Sequence, residues 1–381
     1  MILTLRRAVL AVVVLAAGGL LFAWSGLFNV AASTGHWPVT AWFLHWVMQN
    51  SVGTYAMLTV ESPPDLDDPA LLPAAAGHYA TGCAYCHAAP GEPQGDVANA
   101  MTPPPPRLVD WLPHTDWSDK ELHRIVEHGV KYSGMPAWPS LLRPDEVWGM
   151  VAFLRRLPEM DPATYRTLAY GEGETPPTSA NPDFDAALAD CARCHGVDGA
   201  GRSTVIPVIG GQKQPYLAAT LRAYAEGHRA SGIMQLAATK TTAPVLDLLA
   251  AHYAAARPAA ASAPAGEGAP DPEMLAQGEA IATRGVPNRG VPACLACHGV
   301  DRPEAAHVPH IEGQHAAYLD RQLHLFREEE RGGSPYWKVM AVAVHEIEDD
   351  EIAAVAAWFA RQPRFGAPGT AAAEPAPEAG G

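Results

Sequence analysis

The sequence predicts a mainly α-helical protein: an N-terminal transmembrane helix followed by three small helical domains of one kind. Three observations carry this. The pentapeptide Cys83-Ala84-Tyr85-Cys86-His87 returns as Cys191-Ala192-Arg193-Cys194-His195 and as Cys294-Leu295-Ala296-Cys297-His298, using all 6 cysteines of the chain. An uncharged apolar run, Ala8 to Phe28, stands near the N-terminus. Residues 183–257 and 273–364 repeat one another, with a run of matched positions offset by 102.

Two thiols three positions apart on a helical turn can each add to a vinyl group of a haem, and the next histidine is then held under the iron. The pairs Cys83 and Cys86, Cys191 and Cys194, and Cys294 and Cys297 are therefore the expected attachment points of three covalently bound haem c groups. His87, His195 and His298 are the expected proximal iron ligands. A zinc site would need two such pairs close together, whereas these lie far apart in sequence. A thioredoxin-like redox pair would not be followed by histidine all three times. A disulfide framework requires that haem is never attached.

At 381 residues the chain has room for two or three domains. Small haem domains bury little apolar surface alone, so the porphyrin should complete each core. The net charge of −15 excludes nucleic acid as a partner. An acidic surface suits a basic redox protein, and it serves solubility equally well.

In chain order, residues 1–32 read as a membrane anchor. Arg6 and Arg7 precede the apolar run and no cation directly follows it, which puts the N-terminus in the cytoplasm and the haem domains in the periplasm. Val30-Ala31-Ala32 resembles a processing site, so cleavage as a signal peptide is the competing reading. Residues 33–66 carry Trp37, Trp42, Phe43, Trp46 and Tyr55, the composition of a helix lying at the headgroups or packed under the first haem domain. His36 and His45 there read as interfacial or surface residues.

The first domain, 67–167, begins with a helix that delivers its motif. Met101 to Pro106 is proline-rich and must be extended. Ser118-Asp119-Lys120-Glu121 is a capping box for a helix ending at Gly129. Gly134-Met135-Pro136 follows, then a helix over Asp145 to Leu157. This arrangement resembles class I cytochrome c domains, in particular those of alcohol dehydrogenase and haem-copper oxidase subunits. The resemblance implies that Met135 is the sixth ligand of the first haem.

The second (183–257) and third (273–364) domains are a duplication. Pro207, Ile209, Gly211, Gln212, Tyr216, Leu217, Leu221, Tyr224 and Arg229 recur 102 positions later as Pro309, Ile311, Gly313, Gln314, Tyr318, Leu319, Leu323, Phe326 and Arg331. The pattern resembles the duplicated two-haem class I cytochromes of bacterial respiratory chains, and implies Met234 and Met340 as distal ligands. The fold expected is thus a transmembrane helix and three class I cytochrome c domains. Lys240 to Pro244 lacks the acidic start usual for a closing helix, so that helix is expected to be shorter than its counterpart at 348–361. His228, His310 and His315 are the alternative ligands, each better read as a surface or propionate-side residue. Residues 258–272 read as an Ala/Pro linker, semi-extended, which weakens docking of the third domain, and 365–381 as a disordered tail.

With both axial positions filled, iron has no vacancy for a substrate, so one-electron transfer follows. The expectation is a carrier in a bacterial respiratory chain, taking electrons from a quinol-oxidising complex, a dehydrogenase or a soluble cytochrome and passing them to a terminal oxidase or reductase. The alternative is a cytochrome subunit of an oxidoreductase complex, or an enzyme with one open haem such as a peroxidase or sulfur-compound dehydrogenase. No triad or nucleotide-binding fingerprint suggests other catalysis.

Overall fold

The computed structural model describes residues 4–31, 33–171, 178–258, 270–299 and 305–364. Among these there are helices and two isolated β-bridges but no strand. Helix α1 spans Leu5–Trp24, 20 residues of which none is buried, with a mean hydropathy of 2.1 over an 18-residue stretch, long and apolar enough to cross a bilayer. Helix α2, Pro38–Thr59, exposes Trp37, Trp42 and Trp46 at its start and docks at its end. There Ala56 and Val60 pack with Trp148, Val151 and Ala152, while Lys120 Nζ donates to the Val60 carbonyl at 3.0 Å.

The first helical unit contains α3 (Leu71–Gly82), α4 (Asp119–His128), α5 (Pro144–Arg156) and α6 (Pro162–Tyr170). Ser118 and Glu121 form the reciprocal cap of α4, which ends at Gly129. Helix α5 opens with Pro144, Asp145 and Glu146 and closes with Arg155 and Arg156, charges that oppose the helix dipole at both ends. Its buried face meets α3, with the rings of Tyr79 and Phe153 at 5.1 Å between centroids and Tyr165 of α6 beside them.

The second unit is built from α7 (Pro182–His195), α8 (Gln214–Ala225), α9 (Gly232–Thr239) and α10 (Ala243–Ala255) around Leu188, Leu217, Leu249 and Tyr253. The third repeats it with α11 (Pro272–Arg284), α12 (Ala316–Arg327), α13 (Trp337–Ala343) and α14 (Asp349–Ala360) around Ile281, Phe326, Ile352 and Phe359. The shorter closing helix expected in the second unit is not found: α10 has 13 residues and α14 has 12. Pro244, whose fixed φ suits a first turn, starts α10 where the Glu348–Glu351 capping box starts α14.

The units are docked. Between the repeats, Gln212 Nε2 donates to the His310 carbonyl at 2.9 Å and its Oε1 accepts from the His310 amide at 3.0 Å. Gln314 does the same to Val208, at 2.8 and 2.9 Å. The Arg229 guanidinium reaches Tyr318 Oη at 3.2 Å, and that of Arg331 reaches Tyr216 Oη at 3.0 Å. These reciprocal pairs relate the copies by an approximate two-fold axis. The third domain is thus packed on the second, contrary to the weak docking that its linker suggested. That linker lies almost wholly in 259–269, outside the described residues, as do the tail and Ala32 of the processing-site reading. The first unit meets the second where α3 crosses α7. A Cβ on Gly77 would lie 3.0 Å from Cys194 Sγ, so only glycine gives the cysteine its full clearance.

Candidate haem-attachment sites

Each motif forms a helical turn. Ala84–His87 follows α3, Cys191 to His195 is the last turn of α7, and Leu295–His298 follows Cys294. The three histidines share one further contact. Nδ1 of His87 lies 2.8 Å from the Pro106 carbonyl, that of His195 3.1 Å from Pro207, and that of His298 2.9 Å from Pro309. A carbonyl can only accept, so Nδ1 carries the proton and Nε2 keeps its lone pair. Burial pushes all three imidazoles below their ordinary value, with the proline carbonyl pulling the other way, so they stay neutral. A neutral imidazole whose other nitrogen is fixed by a carbonyl is the arrangement an iron ligand needs.

Sequence reasoning named the histidines but not these prolines. Pro207 and Pro309 were visible as members of the repeat, though the repeat did not say that their carbonyls are what matters. Pro106 was hidden at the end of Pro103 to Pro106, where the run reads only as extended chain. Gln94 braces that loop, its Nε2 donating to the Pro105 carbonyl at 2.8 Å.

None of the six cysteines is bonded to another, so no disulfide framework forms. Their apolar surroundings push Cys83 and Cys191 up to about 12, and Cys194 and Cys294 up to about 11. At these four positions burial disfavours the thiolate that a zinc or redox pair uses.

Met135 stands in the loop between α4 and α5, half-buried. Met234 and Met340 lie instead on the short helices α9 and α13, also half-buried. Met340 and Cys294 both pack against the apolar cluster of the third unit. Of the alternative ligands, His228 is exposed and paired with Glu226 at 3.1 Å. His310 and His315 lie half-buried where the copies meet, and His315 Nε2 is buried without a hydrogen-bond partner.

The residues fit haem in a second respect. Arg229 and Arg331 are buried, 3% and 7% exposed, and lie against the rings of Tyr224 and Phe326. Among the described residues no carboxylate pairs with either; their partners are hydroxyl and amide oxygens, and Arg331 Nε has none. Burial and the neighbouring Arg229 push the Arg331 guanidinium below its ordinary value. Two buried cations without anions are costly, and haem propionates are anions of the kind missing here.

The fold and these sites define a multihaem cytochrome with covalently attached haem. The family models for cytochrome c oxidase, cbb3-type, subunit III and for cytochrome c match residues 70–154 and 275–361. The chain is 36% identical over 180 residues to the thiosulfate dehydrogenase electron acceptor of Thiomonas intermedia, covering 46% of this chain and 79% of that one. It is 32% identical over 179 residues to cytochrome c4 of Pseudomonas aeruginosa, covering 46% and 84%. The solved structure of reduced cytochrome c4 from Pseudomonas stutzeri covers 49% of this chain and 100% of its own, at 27% identity and a TM-score of 0.42. The chain belongs to the multi-domain class I c-type cytochromes and works in electron transfer.

Proposed function

We propose that the chain is a membrane-anchored carrier of three haem c groups, moving single electrons along a periplasmic respiratory chain. The observation that carries this reading is the histidine with Nδ1 on a proline carbonyl, found at all three motifs. His87, His195 and His298 would bind iron from one side and Met135, Met234 and Met340 from the other. Each haem would supply a reversible one-electron couple, with thioether ligation raising its potential. The protein's part is to hold the imidazoles neutral, keep water from the buried faces and fix the domains against one another. The second unit touches both others, and the first also meets the third through Asp145 and Arg321, 3.1 Å apart, so the contacts support electron exchange among the three units. Helix α1 would tether them, with the exposed tryptophans of α2 at the headgroup level.

Redox titration of the purified full-length protein, followed optically and by magnetic spectra, tests this. Three low-spin haems with a sulfur-to-iron charge-transfer band are expected. A high-spin component that binds cyanide would instead indicate an open haem and an enzyme. A second reading concerns the donor. Relatives from Thiomonas intermedia and Stutzerimonas stutzeri are named thiosulfate dehydrogenase electron acceptors, which favours a sulfur-compound dehydrogenase over a quinol-oxidising complex. Stopped-flow reduction by each donor separates the two.

A further inference from the structure

We propose that Glu146 of the first domain is a positioning residue for the Met234 segment of the second, so that docking of the two domains sets the axial coordination of the second haem. This rests on Met234 as iron ligand. Glu146 lies in the first turn of α5 with its side chain 7% exposed. Its Oε1 accepts from Ser231 Oγ at 2.5 Å. Its Oε2 accepts from the amides of Gly232 at 2.7 Å and Ile233 at 3.3 Å, and from the indole Nε1 of Trp138 at 3.2 Å. Arg143, 3.0 Å away, balances the charge and also donates to the Ala230 carbonyl.

The hydroxyl of Ser231 relays this contact. It gives its proton to Glu146, and its lone pair accepts from the Met234 amide at 3.0 Å. Two hydrogen bonds thus join a first-domain carboxylate to the backbone of Met234. The first amides of α9 have no partner within their own helix, so removing the carboxylate leaves them buried and unsatisfied. Space enforces the same register: a Cβ on Gly232 would lie 2.1 Å from Trp138 Nε1. Trp138 follows Met135 by three positions, so the same carboxylate also steadies the far side of the Met135 loop.

The duplicate provides the contrast. Helix α13, which carries Met340, has no side-chain cap, and its Val339 and Val342 are 61% and 77% exposed. The clamp is therefore a contribution of the first domain to the second copy; the first domain meets the third through Asp145 and Arg321, 3.1 Å apart, on α12 and not on the helix that carries Met340.

The test uses the full-length holoprotein, with Met234→His and Met340→His assigning the second and third haems in a redox titration. In Glu146→Gln the second haem's potential should fall and up to one third of the charge-transfer band should be lost, with the third haem unmoved. Ser231→Ala, which removes only the relay, should shift the same haem in the same direction, and it carries the test should Glu146→Gln not fold. Unchanged second-haem potential and band in folded variants overturn the inference, as does an equal shift of the third haem. If Met234→His itself leaves every haem unaltered, the ligand reading fails, which is a different result from failure of the clamp.

Discussion

Gln212 and Gln314 are each other's counterparts in the duplication, and each grips both backbone groups of the residue that follows the other copy's key proline. Gln212 binds the amide and carbonyl of His310, next to Pro309, whose carbonyl holds His298. Gln314 binds Val208, next to Pro207, whose carbonyl holds His195. The contact that docks the copies is thus one residue away from the contact that orients each imidazole. Docking of the copies and orientation of the imidazoles therefore act on neighbouring residues of the same loop.

Replacing both glutamines by alanine removes four hydrogen bonds, each worth about 1 kcal/mol net. Loosening of the two copies is expected, seen as faster hydrogen exchange at the amides of Val208 and His310. Unchanged protection there would mean that other contacts hold the interface.

Proteolysis of the mature protein should give three haem-bearing peptides, one for each motif, with no free thiol detected by mass. A motif peptide carrying two unmodified cysteines would reduce the count.

Met135→His exchanges sulfur for nitrogen at the first iron. Its potential should drop by on the order of 0.1–0.2 V, a fraction of the roughly 0.8 V that axial ligands span. A common shift of all three haems in the titration would argue against independent sites.

His78 is 6% exposed, lies 4.5 Å from the Trp138 ring centroid, and is pushed down to about 4 by burial and by Lys240. The folded value lies below the unfolded 6.5, so the unfolded chain binds the extra proton between these pH values. Stability should be complete above pH 6.5 and fall by roughly 3 kcal/mol as pH approaches 4. Denaturant titrations across that range check it, and His78→Phe should flatten the slope.

Gly77→Val places branched carbon against Cys194 Sγ, where even a Cβ would be at 3.0 Å. Overpacking of this kind costs about 1–3 kcal/mol. The first and second units should separate before either unfolds, giving a second step in thermal melts that the parent protein lacks.

Much of the site was legible locally. The motifs announce themselves because thioether chemistry demands two thiols and an imidazole on a single helical turn. The cap of α4 could be read from Ser118 and Glu121, since both partners lie within one turn. The expected weakness of α10 failed because an acidic start is one way to open a helix and Pro244 is another. The proline carbonyls escaped notice because a backbone acceptor leaves no signature in side-chain identity.

What the sequence by itself determined is local: the three Cys-x-x-Cys-His motifs, the duplication that contains the second and third of them, and which stretch is apolar enough to enter a membrane. These follow from residue type and short-range spacing, which linear order preserves. The tertiary structure alone decided the company each site keeps. Glu146 meets Ser231 across 85 positions and Gln212 meets His310 across 98. Such contacts depend on which faces remain uncovered once each helical unit has closed its own core, and that is a property of the packed surface.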